Sequence, residues 1–296
     1  MTARFLRIAR QGINSWKRYL VGALLPFCLT LIVWTPILTV TTYILGFSPD
    51  EEGVNGFLYA NPVRTLVLSG LLFIAFLFGL YLSIKRVHKR KFITLFTSDD
   101  SVHWQRVIKG FGVYLGLYGI RFLVWYLISP SRYIFSFNLS EWLPFALLSL
   151  VFAPIFALCK VLIVAYLLQG ISLLIQSSLL LLIVWGLIIG SLSYALEPET
   201  LLYVFSGVVF GIFFAWVIIK DNGIELMWGF FTASDFIGLV WFRSDDSDFL
   251  NAPTIFRATE PALPLYNLVS ILLHLGLFYY ICFSRGKNLS ASMPKE

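Results

Sequence analysis

Long apolar runs separated by short polar segments dominate the chain. A transmembrane helix needs about 20 predominantly apolar residues, and runs of about that length recur along the sequence. We predict spans over residues 19–46, 63–84, 107–129, 142–164, 165–196, 200–219, 224–242 and 263–283. The pattern therefore predicts an all-α fold, a polytopic transmembrane helical bundle of about eight spans.

The number of spans in the middle of the chain is open at this stage. From residue 142 to residue 196 the only charged side chain is Lys160, so length alone places a helix break near Gln169 and Gly170. A re-entrant segment in the same region would give seven spans instead of eight. Both interpretations fit the pattern.

The two ends of the chain are more polar than its centre. Near the N-terminus Phe5, Ile8, Ile13 and Trp16 recur at helical spacing, and arginines occupy the opposite side. This pattern is typical of an amphipathic helix lying in the membrane interface. We predict such a helix over residues 1–18, a transmembrane bundle over residues 19–284 and a cytoplasmic tail over residues 285–296.

The composition excludes a water-soluble protein. Hydrophobic residues make up 58% of the chain and charged residues only 13%, and the mean hydropathy is +0.83. Soluble domains carry about 25% charged residues, and a soluble fold of 296 residues could not hide so much apolar surface. The lipid bilayer is therefore the predicted partner of most of the chain.

Positive charge is distributed in a way that predicts orientation. The formal net charge is +6, but no nucleic-acid-binding motif accompanies it, so no nucleic-acid partner is predicted. If the chain starts in the cytoplasm, its segments on that side carry sixteen Lys and Arg residues and the opposite segments carry four. Cytoplasmic loops are enriched in Lys and Arg. The count therefore predicts that both termini are cytoplasmic, and the setting that we expect is a bacterial inner membrane, plasma or photosynthetic.

Cysteines and histidines indicate no metal or cofactor site. Cys28, Cys159 and Cys282 all fall within apolar runs and share no ligand-like spacing, so we predict neither a disulfide framework nor a zinc site. The histidines are His88 and His103 in a polar loop and His274 in the last span. No metal triad or Ser/His/Asp set is predicted from them.

Ionisable residues within the predicted spans are the candidate functional residues, because placing a charge in the bilayer costs about 2.5–3.5 kcal/mol on insertion scales. These residues are Arg121, Lys160, Glu225, Asp235 and His274. They indicate either a polar site or proton path, or ion pairs that fix the packing of the helices. His274 is a speculative haem or pigment ligand, and its alternative is a hydrogen-bonded packing residue.

Four segments carry a family resemblance. They are FITLFTSDDSVHWQRVIKGF (92–111), FAPIFALCKVLIVAYLLQG (152–170), GSLSYALEPE (190–199) and DNGIELMWGFFTASD (221–235). Together they resemble the CAAX-protease and bacteriocin-processing (CPBP, or Abi) intramembrane proteases, which include lysostaphin-resistance-type proteins. The resemblance extends from about residue 61 to residue 235, and it implies a CPBP-like core over residues 142–242.

The resemblance fails at the positions where that family carries its catalytic residues. That family carries paired glutamates and an arginine in its first motif, a phenylalanine and a histidine in its second, and a histidine and an asparagine in its third. At these positions this chain has residues unsuited to that chemistry. They are Cys159, Lys160 and Val164 in the first motif, Gly190 and Tyr194 in the second, and Phe231 and Asp235 in the third. A general base needs a group that accepts protons near the working pH. The resemblance therefore implies a catalytically inactive member, with Lys160, Glu225 and Asp235 remodelling the former active-site cavity and Asp235 neutralising Lys160.

These observations predict a non-catalytic membrane scaffold or a regulatory or assembly subunit, which binds another membrane protein or peptide. Aromatic helix faces and the loop of residues 243–261, predicted to lie outside, offer contact surface. The first alternative is an intramembrane CAAX-type endopeptidase with altered catalytic residues, using Glu225 or Asp235 as general acid or base. The second alternative is a pigment-binding or transport subunit that depends on His274.

Overall fold

The structure is a computed structural model that describes residues 4–40, 61–196, 201–244, 252–258 and 264–284. Within these ranges the chain is mostly helical. Its helices are α1 (Arg4–Arg7), α2 (Trp16–Thr39), α3 (Pro62–Leu82), α4 (Trp104–Ile128), α5 (Leu139–Ile171), α6 (Ser178–Leu196), α7 (Leu201–Asp221), α8 (Glu225–Val240) and α9 (Pro264–Phe283). Short 3-10 turns cover Ile8–Arg10, Phe92–Leu95 and Pro130–Arg132, and a π-helical turn at Ser83–Val87 extends α3.

Five of these helices are long and apolar enough to cross a membrane, namely α2, α3 with its π-helical turn, α4, α5 and α7. Their outward faces carry exposed apolar side chains such as Ile108, Leu127 and Leu147. The chain therefore has the character of a membrane-embedded helical bundle. The apolar parts of α6 and α9 are shorter, and α8 has 16 residues, a length of about 24 Å. The count of eight spans and the cytoplasmic location of both termini stay predictions.

The helix break predicted near Gln169 and Gly170 lies just after these residues, whereas the boundary predicted between spans 142–164 and 165–196 falls inside one helix and is wrong. Helix α5 continues without interruption to Ile171, and the chain turns only between that residue and Ser178. Gln169 is fully buried, and its side-chain amide donates a hydrogen bond of 2.8 Å to the carbonyl of Thr94. A glutamine in an apolar run looks like a turn residue in the sequence, but here a tertiary partner satisfies it inside the helix.

The amphipathic helix predicted over residues 1–18 is not continuous. Helix α1 ends at Arg7, the backbone of Gly12 adopts φ +88°, and α2 begins at Trp16 after the N-cap Ser15. The side chain of Phe5 is fully buried against the bundle. Of the apolar positions recognised in the sequence, Phe5 therefore faces the protein core, whereas Ile13 and Trp16 are exposed.

Two glycines allow α4 and α8 to pack with their backbones in contact. A Cβ atom added to Gly110 would lie 2.1 Å from the carbonyl oxygen of Leu226, and one added to Gly229 would lie 2.0 Å from that of Val107. Small residues permit such close approach in membrane bundles. Helix α8 also packs along α5, where the Trp228 indole N–H donates to the carbonyl of Pro154 at 2.9 Å. These contacts make α8 the central helix around which the candidate site is built.

A small sheet lies at the end of the bundle predicted to be outside. Its strands are β1 (Tyr133–Phe135), β2 (Phe242–Ser244) and β3 (Phe256–Ala258), in the order β1-β3-β2. β1 pairs with β3 antiparallel and β2 pairs with β3 parallel. The all-α prediction missed these strands, because three-residue strands carry no usable alternation. Residues 245–251 and 259–261 of the predicted outside loop lie outside the described residues.

Candidate functional site

Lys160 and Asp235 form an ion pair between α5 and α8. The ammonium nitrogen of Lys160 lies 2.5 Å from Oδ1 of Asp235 and donates a hydrogen bond to it. The pairing predicted from the sequence is therefore confirmed. Each charge alone would be costly at membrane depth, and the pair removes much of that cost.

The pair is exposed to different degrees at its two ends. The Lys160 side chain is 45% exposed, whereas that of Asp235 is 13% exposed. Lys160 lines an apolar groove of about 430 Å³ together with residues of α2, α3 and α5, which are Phe27, Thr30, Leu72, Phe73, Phe76, Cys159 and Ile163. An ammonium group carries three donors, and in the described part of the chain Lys160 donates one hydrogen bond, to Asp235. The surface of the groove is apolar, so Lys160 lines it with its methylene chain while the ammonium reaches Asp235.

Phe231 completes the surroundings of Lys160. The Lys160 ammonium lies 5.9 Å from the centre of the Phe231 ring, which is within the range of a cation–π contact. On its other side the ring packs against Phe214 of α7, with a centroid distance of 4.9 Å. The structure thus brings together three of the positions at which the chain departs from the CPBP motifs, those of Lys160, Phe231 and Asp235.

Other positions from those motifs lie elsewhere. Cys159 points toward α3, where its thiol lies 3.3 Å from the carbonyl of Phe73. Val164 is a buried core residue of α5. Gly190 of α6 packs against Val208 of α7, and no described contact connects it with Lys160 or Asp235. The side chain of Tyr194 lies outside the described residues.

Glu225 does not join Asp235 in one cavity. It is the first residue of α8, and ten residues, about 15 Å of helix, separate it from Asp235. Its Oε1 accepts a hydrogen bond of 3.3 Å from the backbone N–H of His103, in the loop before α4. The grouping of Lys160, Glu225 and Asp235 predicted from the sequence is therefore replaced by an ion pair in the bundle and a separate buried carboxyl at the end of α8.

Arg121 and His274 form a second polar feature, away from Lys160. Both line a groove of about 720 Å³ between α4 and α9 whose other walls are mainly apolar. The Arg121 guanidinium lies 4.9 Å from the centre of the Tyr118 ring. The His274 ring lies 4.7 Å from that of Tyr114, and its Nε2 is buried without a hydrogen-bond partner among the described residues. The sequence predicted both residues separately, and only the structure places them together.

The Lys160–Asp235 pair can hold a polar group through the remaining donors of the ammonium. Asp235 Oδ1 is already engaged by Lys160, and its buried Oδ2 has no partner among the described residues. No histidine contacts the pair, and the described residues contain no group of three His, Cys, Asp or Glu able to hold a metal ion. The arrangement places a half-exposed, positively charged side chain beside an apolar groove, which suits recognition of a carbonyl or carboxyl oxygen in a membrane-embedded molecule.

The groove residues contributed by α2 and α3 were not predicted from the sequence. Phe27, Thr30, Phe73 and Phe76 occur in ordinary apolar runs, and nothing in their spacing distinguishes them from lipid-facing positions. Only the packing of α2 and α3 beside α5 makes them the walls of a site. In contrast, Lys160 was recognisable, because a lone charge in a run of more than fifty uncharged residues is conspicuous.

Comparison with known proteins finds similarity to a bacterial protein. The chain is 25% identical over 206 residues to the uncharacterized protein YyaK of Bacillus subtilis, an alignment that covers 68% of this chain and 69% of YyaK. No protein-family model matches the chain, and no solved structure matches it.

Proposed function

We propose that this protein is a non-catalytic membrane scaffold or regulatory subunit that binds a transmembrane segment of another membrane protein at the groove beside Lys160. The observation that carries the proposal is the Lys160–Asp235 ion pair. It stands where the CPBP resemblance implies a catalytic glutamate and the asparagine of the third motif, and the half-exposed Lys160 side chain lines the groove.

The groove has the properties expected of a contact surface for a helix in the bilayer. Its walls are apolar apart from Lys160, Thr30 and Cys159, and aromatic rings from α2 and α3 form much of its surface. Helices associate in membranes through close packing and interhelical hydrogen bonds. A partner helix carrying an exposed carbonyl, hydroxyl, amide or carboxyl oxygen could insert a side chain into the groove and accept from the Lys160 ammonium.

Photo-crosslinking in native membranes tests this proposal. A photoreactive amino acid at Phe76 in the groove should yield a discrete protein–protein adduct. The same amino acid at Leu187, an exposed residue of α6, should not. The Lys160→Met variant should reduce the yield of the adduct, because it removes the donors and keeps a side chain of similar length. Mass spectrometry of the adduct identifies the partner.

Two results would contradict the proposal. Crosslinks to lipid alone from the groove, with the same pattern at Leu187, would show that no protein occupies it. Cleavage of a membrane-embedded peptide by the purified protein, abolished in an Asp235→Asn variant, would support the alternative of an endopeptidase with altered catalytic residues. Glu225→Gln serves as the matched control, since this carboxyl lies at the other end of α8.

A second candidate function rests on His274. The Nε2 atom of His274 is buried and has no hydrogen-bond partner among the described residues. The residue lines a groove of about 720 Å³, which is large enough for a substantial ligand. Both properties would suit a pigment-binding subunit. A neutral imidazole nitrogen with a free lone pair is a common axial ligand of haem iron. Purification in mild detergent followed by an absorbance spectrum tests this candidate. A visible band lost in His274→Leu would support it, and a colourless protein would contradict it.

A further inference from the structure

A loop that joins α3 to the 3-10 turn at Phe92–Leu95 carries unusually dense positive charge. This basic loop, residues 85–91, contains Lys85, Arg86, Lys89, Arg90 and Lys91. Four of these cations, all except Arg86, line one cavity of about 950 Å³. The cavity lies at the end of the bundle that the charge distribution predicts to face the cytoplasm.

Arg90 is the only buried cation of this loop. The residue is 7% exposed, and its Nη2 donates a hydrogen bond of 2.8 Å to the side-chain oxygen of Gln169. Its Nε and Nη1 are buried and have no partner among the described residues. No carboxylate lies within ion-pair distance of Arg90 in the described ranges. A buried guanidinium with spare donors and no counter-charge is costly, and an anion would remove that cost.

The acidic residues of the cavity do not supply this counter-charge. Asp99 and Asp100 also line the cavity. Both carboxylate oxygens of Asp99 already have partners. Its Oδ1 lies 3.2 Å from Nη1 of Arg4, and its Oδ2 lies 2.9 Å from Nε2 of His103. Asp100 is exposed. The wall formed by the basic loop therefore keeps an excess of positive charge.

We propose that this cavity binds a phosphate group, with Lys89 and Lys91 contacting it and the buried Arg90 guanidinium adding positive charge from the cavity wall. Guanidinium and ammonium groups form charge-assisted hydrogen bonds with phosphate oxygens. The phosphate belongs either to an anionic lipid headgroup or to a soluble phosphorylated compound. Tyr81 and Phe92, which also line the cavity, provide apolar surface beside the anion. The proposal is independent of the groove beside Lys160.

Three probes added to the detergent-solubilised protein at constant ionic strength distinguish the two sources. They are inorganic phosphate, dioctanoyl phosphatidylglycerol and dioctanoyl phosphatidylcholine, with the thermal unfolding midpoint as the readout. Because a ligand that binds only the folded state stabilises it, binding raises the midpoint in a saturable manner. A response to inorganic phosphate supports a soluble compound, whereas a response to phosphatidylglycerol without one to phosphate supports a lipid headgroup.

Matched double variants test the residues. Lys89→Gln/Lys91→Gln removes two exposed cations of the cavity, and it should raise the apparent Kd about tenfold through the loss of two ion pairs. Arg10→Gln/Arg86→Gln removes two exposed cations that do not line the cavity, and the Kd should change less than twofold. Arg90→Gln should abolish binding. If that variant does not fold, the double variants decide the matter alone.

Three outcomes would overturn the proposal. One is the lack of a saturable response to both phosphate and phosphatidylglycerol. Another is an equal response to phosphatidylcholine, which shares the phosphate but carries no net negative charge. The last is an equal loss of affinity in the two double variants, since that result would show that binding depends only on the overall charge of the protein.

Discussion

Lys160 of α5 and Asp235 of α8 are paired across the bundle at 2.5 Å, although 75 positions separate them in the chain. The pair joins two of the helices that pack most extensively, and it leaves the Lys160 side chain half-exposed beside an apolar groove. Because an unpaired charge is costly at this depth, the pair should contribute to stability as well as to any recognition at the groove.

Breaking the pair from one side should destabilise the protein. Asp235→Leu leaves an unpaired ammonium and Lys160→Met leaves an unpaired carboxylate, and we expect each to cost about 1–3 kcal/mol, less than a fully buried pair because Lys160 is half-exposed. The double variant should return to within about 1 kcal/mol of the parent, since two apolar side chains need no partner. Unfolding in mixed detergent micelles measures all three. Additive losses in the double variant would contradict the pairing.

Acid should weaken the end of the bundle that contains His88. This side chain is fully buried, Nδ1–H donates to the carbonyl of Ile13 at 3.2 Å, and Nε2 lies 2.9 Å from the hydroxyl of Tyr166. Burial, followed by the nearby charge of Arg90, lowers the pKa of His88 from 6.5 to about 4. Between pH 4 and pH 6.5, His88 therefore binds a proton in the unfolded chain but not in the folded chain.

Stability should thus be unaffected by His88 above pH 6.5 and should fall as the pH is lowered from 6.5 to 4, by up to about 3 kcal/mol. Thermal unfolding in detergent over this pH range measures the effect. His88→Gln should flatten the slope of the unfolding midpoint against pH between pH 4 and pH 6.5. An unchanged slope in His88→Gln would contradict the assignment.

The contact between α4 and α8 should not tolerate a methyl group. Gly110→Ala places a Cβ atom about 2 Å from the Leu226 carbonyl, and we expect a loss of about 1–3 kcal/mol from overpacking. Gly112→Ala on the same helix has no atom within 4 Å of the new Cβ and should be neutral or stabilising by about 0.5–1 kcal/mol through helix propensity. Equal stability of the two variants would show that α4 and α8 do not touch there.

The N-terminal segment should stabilise the bundle and not merely lie on the membrane. Phe5→Ala removes a fully buried ring, and it should cost about 3–4 kcal/mol through lost burial and the cavity left behind. Trp16→Ala removes a side chain that is 67% exposed and should change the stability of the bundle little. A Phe5→Ala variant as stable as the parent would restore the interpretation of residues 1–18 as an interfacial amphipathic helix.

Some parts of the candidate site could be read from residue types alone. A lone lysine in a long apolar run demands an opposite charge, and Asp235 is one of few acids at membrane depth, so the pair was predictable. The location of Glu225 was not, because the sequence does not show where α8 begins. In the sequence, Glu225 and Asp235 are ten residues apart on one predicted span, and nothing indicates that they differ in membrane depth. In the structure, the turn after Asp221 places Glu225 at the start of α8.

The amino-acid sequence by itself determined that this chain is a membrane-embedded helical bundle, since apolar runs of this length are stable only where their surface meets lipid. It also determined that Lys160 needs a partner. The tertiary structure decided which helices pack through glycine contacts, that Phe5 enters the core, and that Arg121 shares a groove with His274. It also showed that Arg90 is buried at the wall of a cavity, with no carboxylate of the described residues within ion-pair distance. These relationships depend on side chains distant in the chain that meet only when the helices pack, and such meetings leave no local pattern.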